Sequence, residues 1–127
     1  MVNFRGTMGG YSFEDLEVYQ YARIFRMKMY KLSKKLPPEE KHNLSDQIRR
    51  ASVSLTSNIA EGRGRFHYQE NIQFLGYCRG SLTELLDDVN TCIDEEYADL
   101  RKLNEHKREG FELMLRINGV HCIPAKT

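Results

Sequence analysis

Residues 75–92 read LGYCRGSLTELLDDVNTC, and their spacing decides the fold. Leu75, Cys78, Leu82, Leu85, Val89 and Cys92 recur every three or four positions, which puts all six on one stripe of an α-helix. Phe74, Tyr77, Leu86 and Ile93 widen that face, and the pattern predicts a helix over 67–96. Cys78 and Cys92 share the stripe. With Cys122 they make an odd number at no short spacing, which argues against a disulfide framework and a zinc site. All three are expected to act as small apolar residues.

Working outward, three more segments carry helical periodicity and none carries sustained strand alternation. Val18, Ala22, Phe25, Met29, Leu32 and Leu36 form the stripe of a helix over 13–36, with Ser12 as its cap and Asp15 in capping-box position. Leu16, Tyr19, Tyr21, Ile24, Met27 and Tyr30 fall outside this stripe. One bundle seam does not need that much apolar surface, so self-association is expected. Pro37-Pro38 stops the helix, and a short turn through Glu39-Glu40-Lys41 follows. A second helix over 44–61 has the stripe Leu44, Ile48, Ala51, Leu55, Ile59. Gly62 is its expected stop, because glycine takes the left-handed conformation without steric cost. After Tyr97, Asp99 can cap a fourth helix over 100–118. Leu100, Leu103, Gly110 or Phe111, Met114 and Ile117 supply its stripe, and Gly119 its end. Short connections favour antiparallel neighbours. The expected fold is therefore all-α: an antiparallel up-down four-helix bundle over 12–118, assembling as a homo-oligomer, with a mobile arm at 1–11 and a loose tail at 119–127.

The chain has 127 residues, 40% apolar and 29% charged, the composition of one ordinary globular domain. No apolar run reaches the ~20 residues that cross a bilayer, and the opening MVNFRGTMGG lacks the apolar core of a secretory signal. A cytoplasmic protein without a membrane partner is expected. Net charge is +1, unevenly spread: residues 1–50 hold ten Lys/Arg against six Asp/Glu, and residues 81–127 hold six against ten. Such a chain can pair with itself as well as with a polyanion.

The most unusual composition lies at 47–65, QIRRASVSLTSNIAEGRGR. Its Ser/Thr-rich middle suits a helix that approaches a neighbour closely, with hydroxyls returned to the preceding turn. Ala51, Ser54, Asn58, Glu61 and Gly62 are the expected packing residues. The flanking Arg49, Arg50, Arg63 and Arg65 are candidates for nucleic-acid phosphate, because the guanidinium fork matches phosphate geometry. Lys34 and Lys35 are weaker candidates of the same kind. The glycines match neither a P-loop nor a dinucleotide fingerprint, since no strand precedes them.

Chemistry-bearing arrangements are scarce. His42, His67, His106 and His121 stand apart, with surface or capping roles expected. There is no Glu-x-x-His pair for a di-metal bundle site and no Gly-x-Ser-x-Gly elbow around Ser81. Asp87-Asp88 and Asp94-Glu95-Glu96 are expected to form a solvated or interface face. Neither enzymatic activity nor a cofactor is expected.

Several segments in a fixed order carry a family resemblance: Ser12 to Gln20 (SFEDLEVYQ), Leu44 to Ala51 (LSDQIRRA), Ser57 to Gly62 (SNIAEG) with Gly64-Arg65, Phe74-Leu75, and Gly80 to Leu85 (GSLTEL). Over about 12–97 the chain resembles the bacterial four-helix-bundle family of 23S rRNA intervening-sequence proteins. Thr56 stands where that family has a proline, and Tyr19 where tryptophan is common. The resemblance implies a ring-like homopentamer related to retroelement accessory proteins, with RNA or another nucleic acid as partner. A protein-interaction scaffold, its arginines meeting the acidic segment 84–99 of a neighbour, is the alternative expectation.

Overall fold

The computed structural model describes the backbone of residues 13–63 and 68–126, and the side chains of 13–62 and 72–119. Among these residues there are four α-helices, two short 3-10 turns and no strand. The helices are α1 (Glu17–Lys35), α2 (Leu44–Arg63), α3 (Tyr68–Asp94) and α4 (Leu100–Lys126). Each packs on its neighbour in sequence, and α1 also meets α4, which makes a four-helix bundle around one core.

Every stripe residue expected of the first three helices is buried, from Val18 to Leu36, from Leu44 to Ile59 and from Leu75 to Cys92. Each fully buried Leu, Ile, Met or Phe contributes about 1.5–3 kcal/mol relative to exposure. Cys78 and Cys92 are free and buried. Burial pushes the Cys78 thiol up to about 12 and the Cys92 thiol up to about 11, which leaves both as unreactive apolar groups. Cys122 lies outside the described side chains.

Small polar residues set the seams of α2. On the side facing α1, Ser45 Oγ donates to the Ser33 carbonyl at 2.9 Å, and Arg26 Nη1 donates to Thr56 Oγ1 at 2.7 Å. Ser52 Oγ donates to the Ile48 carbonyl at 2.8 Å, so a buried hydroxyl is satisfied within its own helix. On the side facing α3, Ser81 Oγ lies 2.9 Å from Ser54 Oγ, and Asn58 Nδ2 donates to the Ser54 carbonyl at 2.8 Å. Ala51 and Gly62 are buried, and Ser54 and Asn58 are half-buried. Glu61 is exposed, so its expected packing role is corrected: it points off the seam that Asn58 occupies.

Helix boundaries differ from expectation at the start of α1 and at the ends of α2, α3 and α4. α1 begins at Glu17 after a separate 3-10 turn, Phe13–Asp15, with Leu16 at the N-cap and no side-chain cap. Asp15 therefore belongs to the turn, and Ser12 lies outside the described residues. α2 continues through buried Gly62 to Arg63, so the glycine's freedom to turn is not used there. α3 stops at Asp94, and Glu96 takes φ 56°. The Tyr97 N–H bonds to the Cys92 carbonyl at 2.9 Å and the Glu96 N–H to that of Ile93 at 3.1 Å, the two bonds of a Schellman ending. α4 continues past Gly119 to Lys126, replacing the loose tail expected from 119.

The inner stripe of α4 is also corrected. Leu103, His106, Gly110, Leu113 and Ile117 face inward, whereas Leu100 and Phe111 are exposed and Met114 is half-buried. Gly110 fills a close contact that any larger residue could enter only by displacing its neighbours. A Cβ there would stand 2.6 Å from Leu86 Cδ2 and 3.2 Å from Phe25 Cζ.

Candidate nucleic-acid interface

The Pro37-Pro38 break fixes the basic end of the bundle. Leu36 and Pro37 are extended, and the 3-10 turn Pro38–Glu40 reverses the chain into α2. Glu40 starts that helix: its Oε1 accepts the Leu44 N–H at 3.3 Å and Asn43 Nδ2 at 3.0 Å. Its Oε2 accepts the Tyr97 hydroxyl at 2.7 Å, which ties the α3–α4 connection to the α1–α2 connection. The Tyr97 hydrogen bond holds the Glu40 carboxyl below the usual carboxylate range, so it stays ionised.

This reversal brings Lys34 at the end of α1, Lys41 after the turn and Arg49 on α2 around one depression of about 260 Å3, with Pro37, Pro38 and Ser45 in its wall. Of the four candidate arginines, Arg49 thus joins a cationic cluster. Arg50 lies on the next face of α2, strongly exposed, with its Nη2 3.4 Å from Asp46 Oδ2. Arg49 Nη2 reaches the other oxygen of Asp46 at 3.8 Å. The pair is therefore bridged by one carboxylate on the outside of the helix. The Arg63 side chain and Arg65 lie outside the described residues. Lys35 lines a different cavity, between α1 and α4.

Lys41 was not singled out by the sequence reading. It sits in an acidic-looking turn, Glu39-Glu40-Lys41, and its nearness to Lys34 and Arg49 follows only from the direction in which the Pro-Pro break sends the chain. The excess of cations in residues 1–50 was the one signal pointing to it.

Two buried polar groups also correct expectations. His106 is 7% exposed and lies on the inner face of α4. Its Nδ1 is 3.6 Å from Glu109 Oε1, and both atoms lack a hydrogen-bond partner. Burial holds the imidazole below its ordinary value, against the pull of Glu109. Burial pushes the Glu109 carboxyl up, but the Lys28 ammonium at 2.5 Å outweighs it and the group ends low. Asp88, expected on a solvated or interface face, is 5% exposed within the chain with Oδ2 unpartnered. Burial first, then Glu84 and Asp87, push its carboxyl up to about 7. Glu84, Asp87, Asp94, Glu95 and Glu96 are exposed as expected.

Among the described residues no group of three His, Cys, Asp or Glu could hold a metal ion, and no helix is long and apolar enough to cross a membrane.

Fold and surface together define an all-α four-helix-bundle protein with a basic corner at its first interhelical turn. The family of 23S rRNA-intervening sequence proteins matches residues 14–119, and the chain belongs to that family. No curated protein matches the chain.

Proposed function

We propose that this protein is a non-enzymatic, cytoplasmic homo-oligomer that binds RNA through the cationic cluster at the α1–α2 turn. The observation that carries the reading is the meeting of Lys34, Lys41 and Arg49 around one depression. Three cations around one small depression can engage a phosphate backbone together, and affinity grows with each phosphate engaged.

The bundle itself is taken as up-down and antiparallel. Two contacts between α1 and α2, Arg26 with Thr56 and Ser33 with Ser45, run in opposite directions along the two helices. So do Glu17 with Arg116 and Lys28 with Glu109 between α1 and α4.

Assembly is supported by apolar surface that one chain leaves open. Tyr21, Ile24 and Met27 on α1, and Phe111 and Leu115 on α4, are 43–70% exposed. Monomers rarely leave such neighbouring side chains in water. A homo-oligomer, pentameric by family resemblance, would cover them and repeat the cationic cluster once per chain.

The test is RNA binding by the wild type and by Lys34→Gln/Lys41→Gln/Arg49→Gln at two salt concentrations. The triple variant should bind more weakly, with a salt dependence shallower by about 0.7 in log–log slope for each lost contact to single-stranded RNA. Arg50→Gln should bind as the wild type does. Equal RNA binding by wild type and triple variant overturns the reading. Recovery of a nuclease-resistant protein partner through the exposed acids of 84–99 would support a protein scaffold in its place.

A further inference from the structure

The cationic cluster at the α1–α2 turn is one end of a longer feature. Residues 22–35 of α1 and 47–60 of α2 contain no Asp or Glu, against six Lys/Arg in the first run and two in the second. The two helices pack on each other along these runs. Within α1, Arg23, Arg26, Tyr30 and Lys34 step by three, four and four, which places them on one stripe. Two contacts fix where that stripe points. Arg26 donates to Thr56 of α2, and Lys34 lines the depression that Ser45 and Arg49 of α2 also line. The stripe therefore follows the outer edge of the α1–α2 seam, from the turn toward the other end of the bundle.

The carboxylates around this stripe leave its charge in place. Asp46 reaches Arg49 and Arg50 on the outside of α2, and Glu40 is taken up by Tyr97 and the start of α2. Glu39 stands exposed in the turn at the foot of the row. Among the described residues no carboxylate pairs with Arg23, Arg26 or Lys34. Arg23 and Lys34 are exposed, and Arg26 and Tyr30 are half-buried. Arg26 gives an N–H to a neutral hydroxyl at 2.7 Å, so its charge is not neutralised there and other donors of its five remain. Tyr30 stands between Arg26 and Lys34, an aromatic ring in a row of cations. From Arg23 to Lys34 the row is about 16 Å long at the rise of an α-helix.

We infer that this row is the track of an unpaired RNA strand. Arg23, Arg26 and Lys34 engage its phosphates, and one of its bases stacks on Tyr30. The track rests on the RNA binding proposed above and extends it from the turn to a strand lying along α1. Cations interleaved with an aromatic suit a single strand, because every free base offers a π-face for stacking. In a duplex the bases already stack on one another, and that face is closed.

Fluorescence polarisation of labelled oligoribonucleotides with the full chain tests it. A single strand should bind at least about fivefold more tightly than the same strand in a duplex. Tyr30→Leu should weaken single-strand binding at least about fivefold and Tyr30→Phe should not, while neither changes the binding of an abasic ribose-phosphate strand. Arg23→Gln alters only an exposed side chain and should make the log–log salt slope shallower by about 0.7. A duplex bound as tightly as the single strand, a Tyr30→Leu variant that binds like the wild type or loses the abasic strand equally, or an unchanged slope in Arg23→Gln each overturns the track. Binding abolished by Lys34→Gln/Lys41→Gln/Arg49→Gln but untouched by Arg23→Gln and Tyr30→Leu overturns the track and keeps RNA binding at the turn. A wild type that binds no RNA removes both.

Discussion

Gly110 of α4 sits against Leu86 of α3 so closely that a methyl group at 110 would stand 2.6 Å from Leu86 Cδ2. Phe25 of α1 closes the other side at 3.2 Å, so three helices meet at one missing side chain. Alanine gains about 1 kcal/mol of helix propensity over glycine, but overpacking a filled core costs about 1–3 kcal/mol. Gly110→Ala is expected to be net destabilising, and Gly110→Val more so. The midpoint of urea unfolding measures both; a midpoint raised by Gly110→Ala would mean that Leu86 yields freely.

The Arg26–Thr56 hydrogen bond should behave as a coupled pair. Thr56→Val keeps the side chain's shape and removes the acceptor of a part-buried guanidinium. A double-mutant cycle with Arg26→Met is expected to give a coupling of about 1 kcal/mol. Additive losses in thermal unfolding would show that solvent replaces the bond.

Asp88 makes stability depend on pH in an uncommon sense. Its carboxyl rises from an ordinary 3.8 to about 7 in the fold, so between those values the folded chain holds a proton that the unfolded chain has released. Stability should therefore fall as pH rises from about 4 to about 7, by at most about 1.4 kcal/mol per pH unit, and level off above. Asp88→Asn should remove this slope and stabilise the protein at pH 8. Because His106, Glu40 and Glu109 have lowered values and act in the opposite sense, denaturant titrations at pH 4, 6 and 8 compare the wild type with Asp88→Asn; a difference between the two that does not change with pH contradicts it.

Glu96 holds a left-handed backbone, φ 56°, that disfavours a residue with a Cβ by about 1–2 kcal/mol. Part of that gain is returned by the greater freedom of glycine in the unfolded chain. Glu96→Gly is expected to raise stability by up to about 1 kcal/mol, read as a higher melting temperature.

The apolar face of α1 gives the last test. Ile24 is half exposed and belongs to no part of the core. Ile24→Asp should leave the helical circular dichroism intact and shift the mass found by light scattering toward the monomer. A wild type that is itself monomeric at micromolar concentration would remove the assembly from the proposal.

Helix number and the stripes of α1, α2 and α3 were legible because apolar residues at three- and four-residue spacing have one face to bury. The stripe of α4 was misread at Leu100, which is exposed, and at the buried His106 and Leu113, while Gly110 was one of two alternatives at its position and the structure chose it over Phe111; a histidine does not look like core. The glycine stops at 62 and 119 failed because a glycine permits a turn without requiring one, and both helices run on through it. The cationic cluster was half legible, through Lys34 and Arg49. Lys41 joins them across a chain reversal that spacing does not encode.

Alone, the sequence determined the helices, the inner faces of α1, α2 and α3, and the family, because these depend on periodicity and on contiguous motifs. Only the tertiary structure decided which cations share a surface, that Asp88 and His106 are buried, and that Gly110 fills a contact among three helices. Those properties come from residues far apart in the chain meeting across helix seams, and a seam exists only once the helices have packed.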